Sequence, residues 1–456
     1  MDIPAMPRTS TMKRTMPFIA AVTTAGILFS ACVSDHAVSP ATEPTVHSEI
    51  APPDCTHFLK PLCNPNKTRW DTPEHAKARP ITSLFTHGGR IYLSGGEWNA
   101  NLGPCPIWSV NPASGEFTNE YSAATERIDW FREDDSGRLY AQCTDICERC
   151  PDKGPFFRRE ANGAWGVPAQ PPPCQFPAED FSGATMAAQG YAVHTWDLTI
   201  WKGRVFTAGY GIGWMPLDSS GVLSNATVCL EHPHGKAIVI TNGVIASEKV
   251  KYHSQRFYSF LPFDDALFCY PLFKPNGRER DGVFEIDEWR FDEASGQFAP
   301  QTNLLNNVGC GNAMFHVTKV GKRLLYGCGS TSATCFTNLV LYSAACVGGA
   351  TVKAERIDLG GMPVACIAPM EGRCAAVVTC AGEGDGGKGP FKSVLWTTSD
   401  GLDYKPRFSL STPFRITCAA LCDGAWFFGA LGEDESGEDV TGGIYRCPPP
   451  SQGNVL

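Results

Sequence analysis

One phrase recurs along this chain of 456 residues and restricts what it can fold into. An apolar strand runs into a polar corner, often Gly-Arg, and a second apolar strand follows. The copies are "THGGRIYLSGG" at 86–96, "DDSGRLYAQC" at 134–143, "IWKGRVFTAGYG" at 200–211, "PFDDALFCY" at 262–270, "VGKRLLYGCG" at 320–329, "MEGRCAAVVTC" at 370–380 and "CDGAWFFGALG" at 422–432. Their corners fall near 89, 137, 203, 265, 321, 372 and 424, at spacings of about 48–66 residues. A second device appears twice, as "WSVNPASGEF" at 108–117 and "WRFDEASGQF" at 289–298. Polar corners between aromatic-rich strands read as strand, tight turn, strand. No stretch sustains a helical period, and 46 glycines and 35 prolines spread along the chain favour short strands and turns.

One small sheet cannot bury both faces alone, whereas a closed ring of sheets can. Several short strands per repeat of this length match the blades of a propeller. The fold expected is all-β, a seven-bladed β-propeller over 81–447, with 448–456 as a tail. The Ala-Ser-Gly device falls late in repeats one and four, where the outer strands of a blade turn. A β-sandwich is the alternative, but sandwiches do not normally give seven copies of one hairpin. The pattern resembles kelch, WD40 and sialidase-like propellers. Residues 55–80 precede the first copy, and Cys55 and Cys63 are spaced to bridge into a capping loop. The seventh repeat reaches its own last strand near Ile444, which leaves the closure of the ring open.

The beginning of the chain reads differently. From Met12, the better start, "MKRTMPFIAAVTTAGILFSAC" has two basic residues, a short apolar run and small residues before a cysteine. This resembles a bacterial lipoprotein signal with the lipobox "LFSAC", which implies cleavage after residue 31 and a lipid on Cys32. An ordinary secretory signal cut near Ala31 is the alternative. Residues 32–54, rich in Pro, Ser, Thr and Ala, read as the lipidated cysteine and a flexible tether. Val33 in place of an aspartate leans towards the outer membrane. The expected address is therefore the cell envelope, with the membrane as a partner through Cys32. The full chain carries a net charge of −9, and loss of the leader makes it more acidic, which argues against nucleic acid as a partner.

Export suits the cysteines, of which there are 20 in all. In "CTDICERC", Cys143, Cys147 and Cys150 lack a second pair or histidine at zinc spacing, so with Cys174 they are expected to form disulfides. Cys366 and Cys418 occupy equivalent places in repeats six and seven, and are expected to pair if geometry permits. Cys328, Cys335 and Cys346 are expected to act as local staples.

The inner strands of a propeller line its channel, where ligands usually sit. Aligning the corners sets Asp197 opposite Asp129, with two extra residues in the latter, and His194 opposite Arg256, with Arg415 in the matching place of repeat seven and His316 within a residue of the Asp197 position. Such a cluster suits an acidic or sugar ligand, with Arg256 and His316 as binding residues, or acid–base chemistry by His194, Asp197, Asp129 and Arg415. The competing reading is that these groups bond channel backbone and water. "TTSDGLDY" at 397–404 resembles the Asp-box turn of sialidase-like propellers through Asp400, Gly401 and Tyr404, which implies a structural turn. "FRIT" at 414–417 resembles the sialidase arginine motif, but it lies after that turn instead of before it.

Two acidic glycine runs, with Glu383 and Asp385 in one and Glu433, Asp434 and Glu435 in the other, offer a calcium rim, although their spacing matches no known calcium loop. No cofactor is expected apart from that calcium. The function expected is a non-catalytic envelope lipoprotein that binds a protein or glycan, with Trp98, Trp214 or Trp426 gathered on one rim. The alternative is a secreted propeller hydrolase or lyase, glycosidase-like, acting in the channel on an acidic or carbohydrate substrate.

Overall fold

Each recurring hairpin is the inner half of one blade. A computed structural model describes residues 51–97, 102–145, 147, 154–168, 195–209, 211–217, 224–231, 237–241, 244–250, 257–271, 287–302, 313–329, 338–349, 351–382 and 389–448. Its strands form seven antiparallel sheets, and the protein is a seven-bladed β-propeller. The innermost strands of blades one to seven are Ser83–His87, Phe131–Glu133, Asp197–Trp201, Phe257–Pro262, Ala313–Val320, Val364–Met370 and Arg415–Cys422. All seven sequence corners are the turns leading out of these strands. Blade three is extended to six strands by Ala237–Thr241 and Val244–Val250; the other sheets have four.

The ring closes with a strand from the front of the chain. Lys60–Cys63 pairs antiparallel with Ile444–Cys447, Lys60 opposite Arg446, and becomes the outermost strand of blade seven. Joining the two ends in one sheet ties first and last blades together through backbone hydrogen bonds. Next to it, Asn64 caps the short helix Pro65–Arg69 by accepting from Lys67 N at 3.0 Å.

Packing between blades is apolar, and between some of them aromatic. Between blades three and four, Trp201, Phe206, Phe260, Trp289, Phe291 and Phe298 form one buried cluster. Hydroxyls near the start of the inner strands stitch neighbours together. Thr82 donates to Ile128 O at 3.1 Å, Ser259 to Met314 O at 2.8 Å, and Thr417 to Ile81 O at 2.8 Å.

The two Ala-Ser-Gly devices turn the outer strands of blades one and four. Asn111 accepts from Ala113 N and Ser114 N, and Asp292 accepts from Ala294 N and Ser295 N. Gly115 and Gly296 follow at φ of 75° and 69°, which a side chain would oppose. The segment resembling an Asp box is likewise a turn. Asp400 accepts from Leu402 N and Asp403 N, and the buried Tyr404 hydroxyl bonds Gly401 O.

Of the cysteines expected to be bridged, Cys328 is disulfide-bonded, whereas Cys55, Cys63, Cys143, Cys346, Cys366 and Cys418 are free thiols and Cys147 forms no disulfide among the described residues. Cys55 packs with Cys447 in the cluster outside blades six and seven, while Cys63 lies against the cluster of blades seven and one, with the closing strand between them. Cys366 and Cys418 do lie on adjacent inner strands and influence each other's thiol. Each sits at a register shift, however, and the two side chains enter different core clusters. Cys150, Cys174 and Cys335 lie outside the described residues, as does Cys32.

Candidate functional site

The inner strands enclose a channel cavity of about 580 Å³ to which all seven blades contribute. Blades two, three and five supply its polar side through Trp130, Arg132, Asp197 and His316. Strand alternation places the first two residues. Phe131 is buried in the body of blade two, so its neighbours Trp130 and Arg132 are turned to the channel.

Asp197 is 4% exposed, and each of its carboxylate oxygens takes a backbone amide. Oδ1 accepts from Leu198 N at 2.8 Å, and Oδ2 accepts from Phe260 N of blade four, also at 2.8 Å. Burial pushes its pKa from 3.8 up to about 6, opposed by Arg132 and the two amides. The Arg132 guanidinium stands 3.6 Å from Asp197 Oδ1, close enough for charge attraction and too far for a hydrogen bond. One of its nitrogens donates to Phe131 O at 3.1 Å, and the group lies 5.9 Å from the Trp130 ring centroid. Its side chain keeps 27% exposure, directed to the cavity.

His316 holds a left-handed conformation, φ 56°, in a strand whose register slips between Phe315 and Thr318. The bulge turns its ring against Trp130, edge to face with centroids 5.1 Å apart. Thr318 fixes the kink by donating to His316 O at 2.9 Å. Burial, reinforced by the Arg132 charge, drops the imidazole pKa from 6.5 to about 3, so it is neutral near pH 7. A non-glycine residue in this conformation beside a cavity is a common mark of a functional site.

The other sequence candidates do not join this group. Asp129 is buried, but it is held by Arg127 Nε at 2.5 Å and by the Thr144 hydroxyl at 3.2 Å. The inner ladder of blade two starts only at Phe131, opposite Ala141, so Asp129 precedes it and is not among the residues lining the cavity. Arg415 begins the inner strand of blade seven, lies over the Phe391 ring at 5.3 Å, and does not line the cavity either. His194 and Arg256 lie outside the described residues.

Of the acidic runs, Glu383 and Asp385 lie outside the described residues. Asp434 is committed to its own turn, where Oδ1 accepts from Ser436 N, Ser436 Oγ and Glu438 N at 2.9, 2.6 and 3.0 Å. Trp426 is 7% exposed, and Trp214 is half-buried beneath Arg204 at 4.8 Å, so neither forms an exposed rim; Trp98 lies outside the described residues. Reasoning from sequence missed Trp130 and Arg132. The available signal was alternation in "DWFRE", where a core phenylalanine sets the opposite parity for both.

No family model and no curated protein matches the chain. Among solved structures it is similar to virginiamycin B lyase from Staphylococcus aureus, with 10% identity over 85% of this chain and 97% of that one at a TM-score of 0.41. It is also similar to BamB from Moraxella catarrhalis, with 10% identity over 82% and 95% at 0.31, and to the WD40 β-propeller domain of Doa1, with 8% identity over 66% and 89% at 0.32. These likenesses assign nothing to the channel residues.

Proposed function

We propose that the protein is a non-catalytic binding module of the cell envelope, anchored through a lipid on Cys32, that takes a small ligand or the tip of a glycan or protein into its central channel. The observation that carries this reading is the Trp130–Arg132–Asp197–His316 group at a cavity of about 580 Å³, a size that suits a small-molecule site. Against hydrolase or lyase chemistry, Asp197 has both oxygens occupied by backbone amides. Glycoside hydrolysis commonly needs two carboxyl groups flanking one bond. The next lining carboxylate on that side, Glu133, faces His87 at 3.4 Å. A histidine whose pKa is about 3 is neutral near pH 7, so it lacks the imidazolium form that serves as a general acid and is a weak base. Among the described helices none is long and apolar enough to cross a membrane.

The test has two arms. Cells expressing the chain and its Cys32→Ser variant are labelled with palmitate; incorporation into the first and not the second supports the anchor, and equal labelling or none rejects it. Binding of glycan, peptide and organic-acid panels to the purified full chain is then compared with an Ala419→Leu variant, which narrows the channel. Ligands lost in that variant and recovered unchanged after binding support the reading. A product released by the wild-type chain overturns its non-catalytic part.

A further inference from the structure

The Arg132 guanidinium is sparsely satisfied for a group that lines the channel. It has five N–H donors, yet its one hydrogen bond among the described residues is to Phe131 O. Asp197 neutralises it at 3.6 Å without bonding it, and each carboxylate oxygen accepts from a backbone amide instead. A planar fork with unused donors, partly open to a cavity, is the group that recognises a carboxylate bidentately. The facing arc is different in kind. Blades one, six and seven contribute Leu84, Ile367, Ala368, Met370 and Ala419, and their one charged lining residue, Arg373, lies 3.4 Å from Asp264.

Resting on the channel-binding reading above, we infer that Arg132 anchors the carboxylate of a small organic acid whose apolar body lies against blades one, six and seven. Asp197 then serves as a positioning residue. Its amide bonds hold the carboxylate beside the guanidinium at a distance that leaves the donors free for the ligand. Trp130 supports the opposite flank of the guanidinium at 5.9 Å.

Sodium octanoate, octanol, sodium glucuronate and maltose are titrated into the purified full chain by calorimetry, with Arg132→Gln, Arg132→Lys and Ala419→Leu variants alongside. Octanoate is expected to bind wild type, with affinity falling roughly 10- to 100-fold in Arg132→Gln, as befits loss of a charge-assisted fork. Arg132→Lys should recover part of that loss. Ala419→Leu, which leaves the guanidinium intact, should weaken octanoate more than glucuronate. Circular dichroism checks that each variant is folded, and Ala419→Leu keeps the proposal testable if Arg132→Gln fails to fold. Equal octanoate affinity in wild type and Arg132→Gln overturns the anchor, and glucuronate binding more tightly than octanoate overturns the apolar arc. Maltose binding without either acid overturns this inference while leaving the channel reading standing, whereas no channel binding by any probe removes both.

Discussion

Blades two and three each bring an aspartate to the start of the inner strand, at positions that the repeat alignment equates, and the molecule uses them in opposite ways. Asp129 points into the protein body and is closed off by Arg127 and Thr144. Asp197 lines the channel, stitches blade three to blade four through Phe260 N, and faces Arg132 without bonding it. The difference comes from where the ladder begins. Asp197 is its first paired residue, opposite Ala208, whereas in blade two pairing starts two residues after Asp129. Equivalent position in a repeat therefore fixes the backbone neighbourhood, and the partner within reach decides whether a charge is structural or available.

The sharpest way to break this comparison is to remove the enclosed carboxylate. Arg127 is fully buried, so Asp129→Ala breaks a buried ion pair and should destabilise the fold by about 3–5 kcal/mol. Ligand affinity per folded molecule should not change. Urea unfolding with binding measured in parallel checks both halves, and a loss of affinity in a fully folded variant would place Asp129 in the site after all.

The channel aspartate makes a different prediction, in pH. Its folded-state pKa of about 6 lies above the ordinary 3.8, so the folded protein holds this proton more tightly than the unfolded chain. The stabilisation is fully present below about pH 4 and is lost as pH rises through about 6, a change on the order of 3 kcal/mol. Asp197→Asn removes that dependence. The stability difference between wild type and variant should therefore shift against wild type from pH 4 to pH 7, and a constant difference would mean that Asp197 is well solvated.

Much of this architecture was legible because hairpins are local. Each corner needs only its own polar residues between two apolar strands, and all seven were marked that way. The ring's closure was not legible, because Lys60–Cys63 pairs with a strand nearly four hundred residues away and bears no repeat signature. Arg132 was passed over because alignment followed residue type, aspartate to aspartate, where alternation about Phe131 carried the information. His316 was found, but its bulge was not, since no Gly, Pro or Asn between Phe315 and Thr318 marks the slip in the sequence. The cysteines misled for a related reason: adjacency of strands was inferred correctly for Cys366 and Cys418, but their side chains pack into different core clusters.

The same contrast between position and partner recurs at a smaller scale in two turns of nearly identical sequence, "DDSGR" at 134–138 and "DESGE" at 434–438. In both, the first aspartate accepts from the serine amide, the serine hydroxyl and the amide four residues on, at 2.9, 2.6 and 3.0 Å. What differs is the second oxygen. Asp134 Oδ2 also accepts from Arg138 Nε at 2.7 Å and the buried Tyr140 hydroxyl at 2.8 Å. Burial raises its pKa, but the Ser136 hydroxyl and the Arg138 amide, joined by the Tyr140 hydroxyl and the Arg138 side chain, outweigh burial and bring it down to about 2. Asp434 keeps its turn in open solvent, with its pKa lowered chiefly by the Ser436 hydroxyl. Asp134→Ala leaves the buried Tyr140 hydroxyl without this acceptor and removes an ion pair from the half-buried Arg138, and should cost about 1–3 kcal/mol. That loss should be seen above pH 4 and fade as pH falls towards 2, because the wild-type carboxylate is then protonated as well. Asp434→Ala should leave the melting temperature within experimental error. Equal losses in the two variants would mean that the turn's own hydrogen bonds, and not the groups beyond it, set the value of the aspartate.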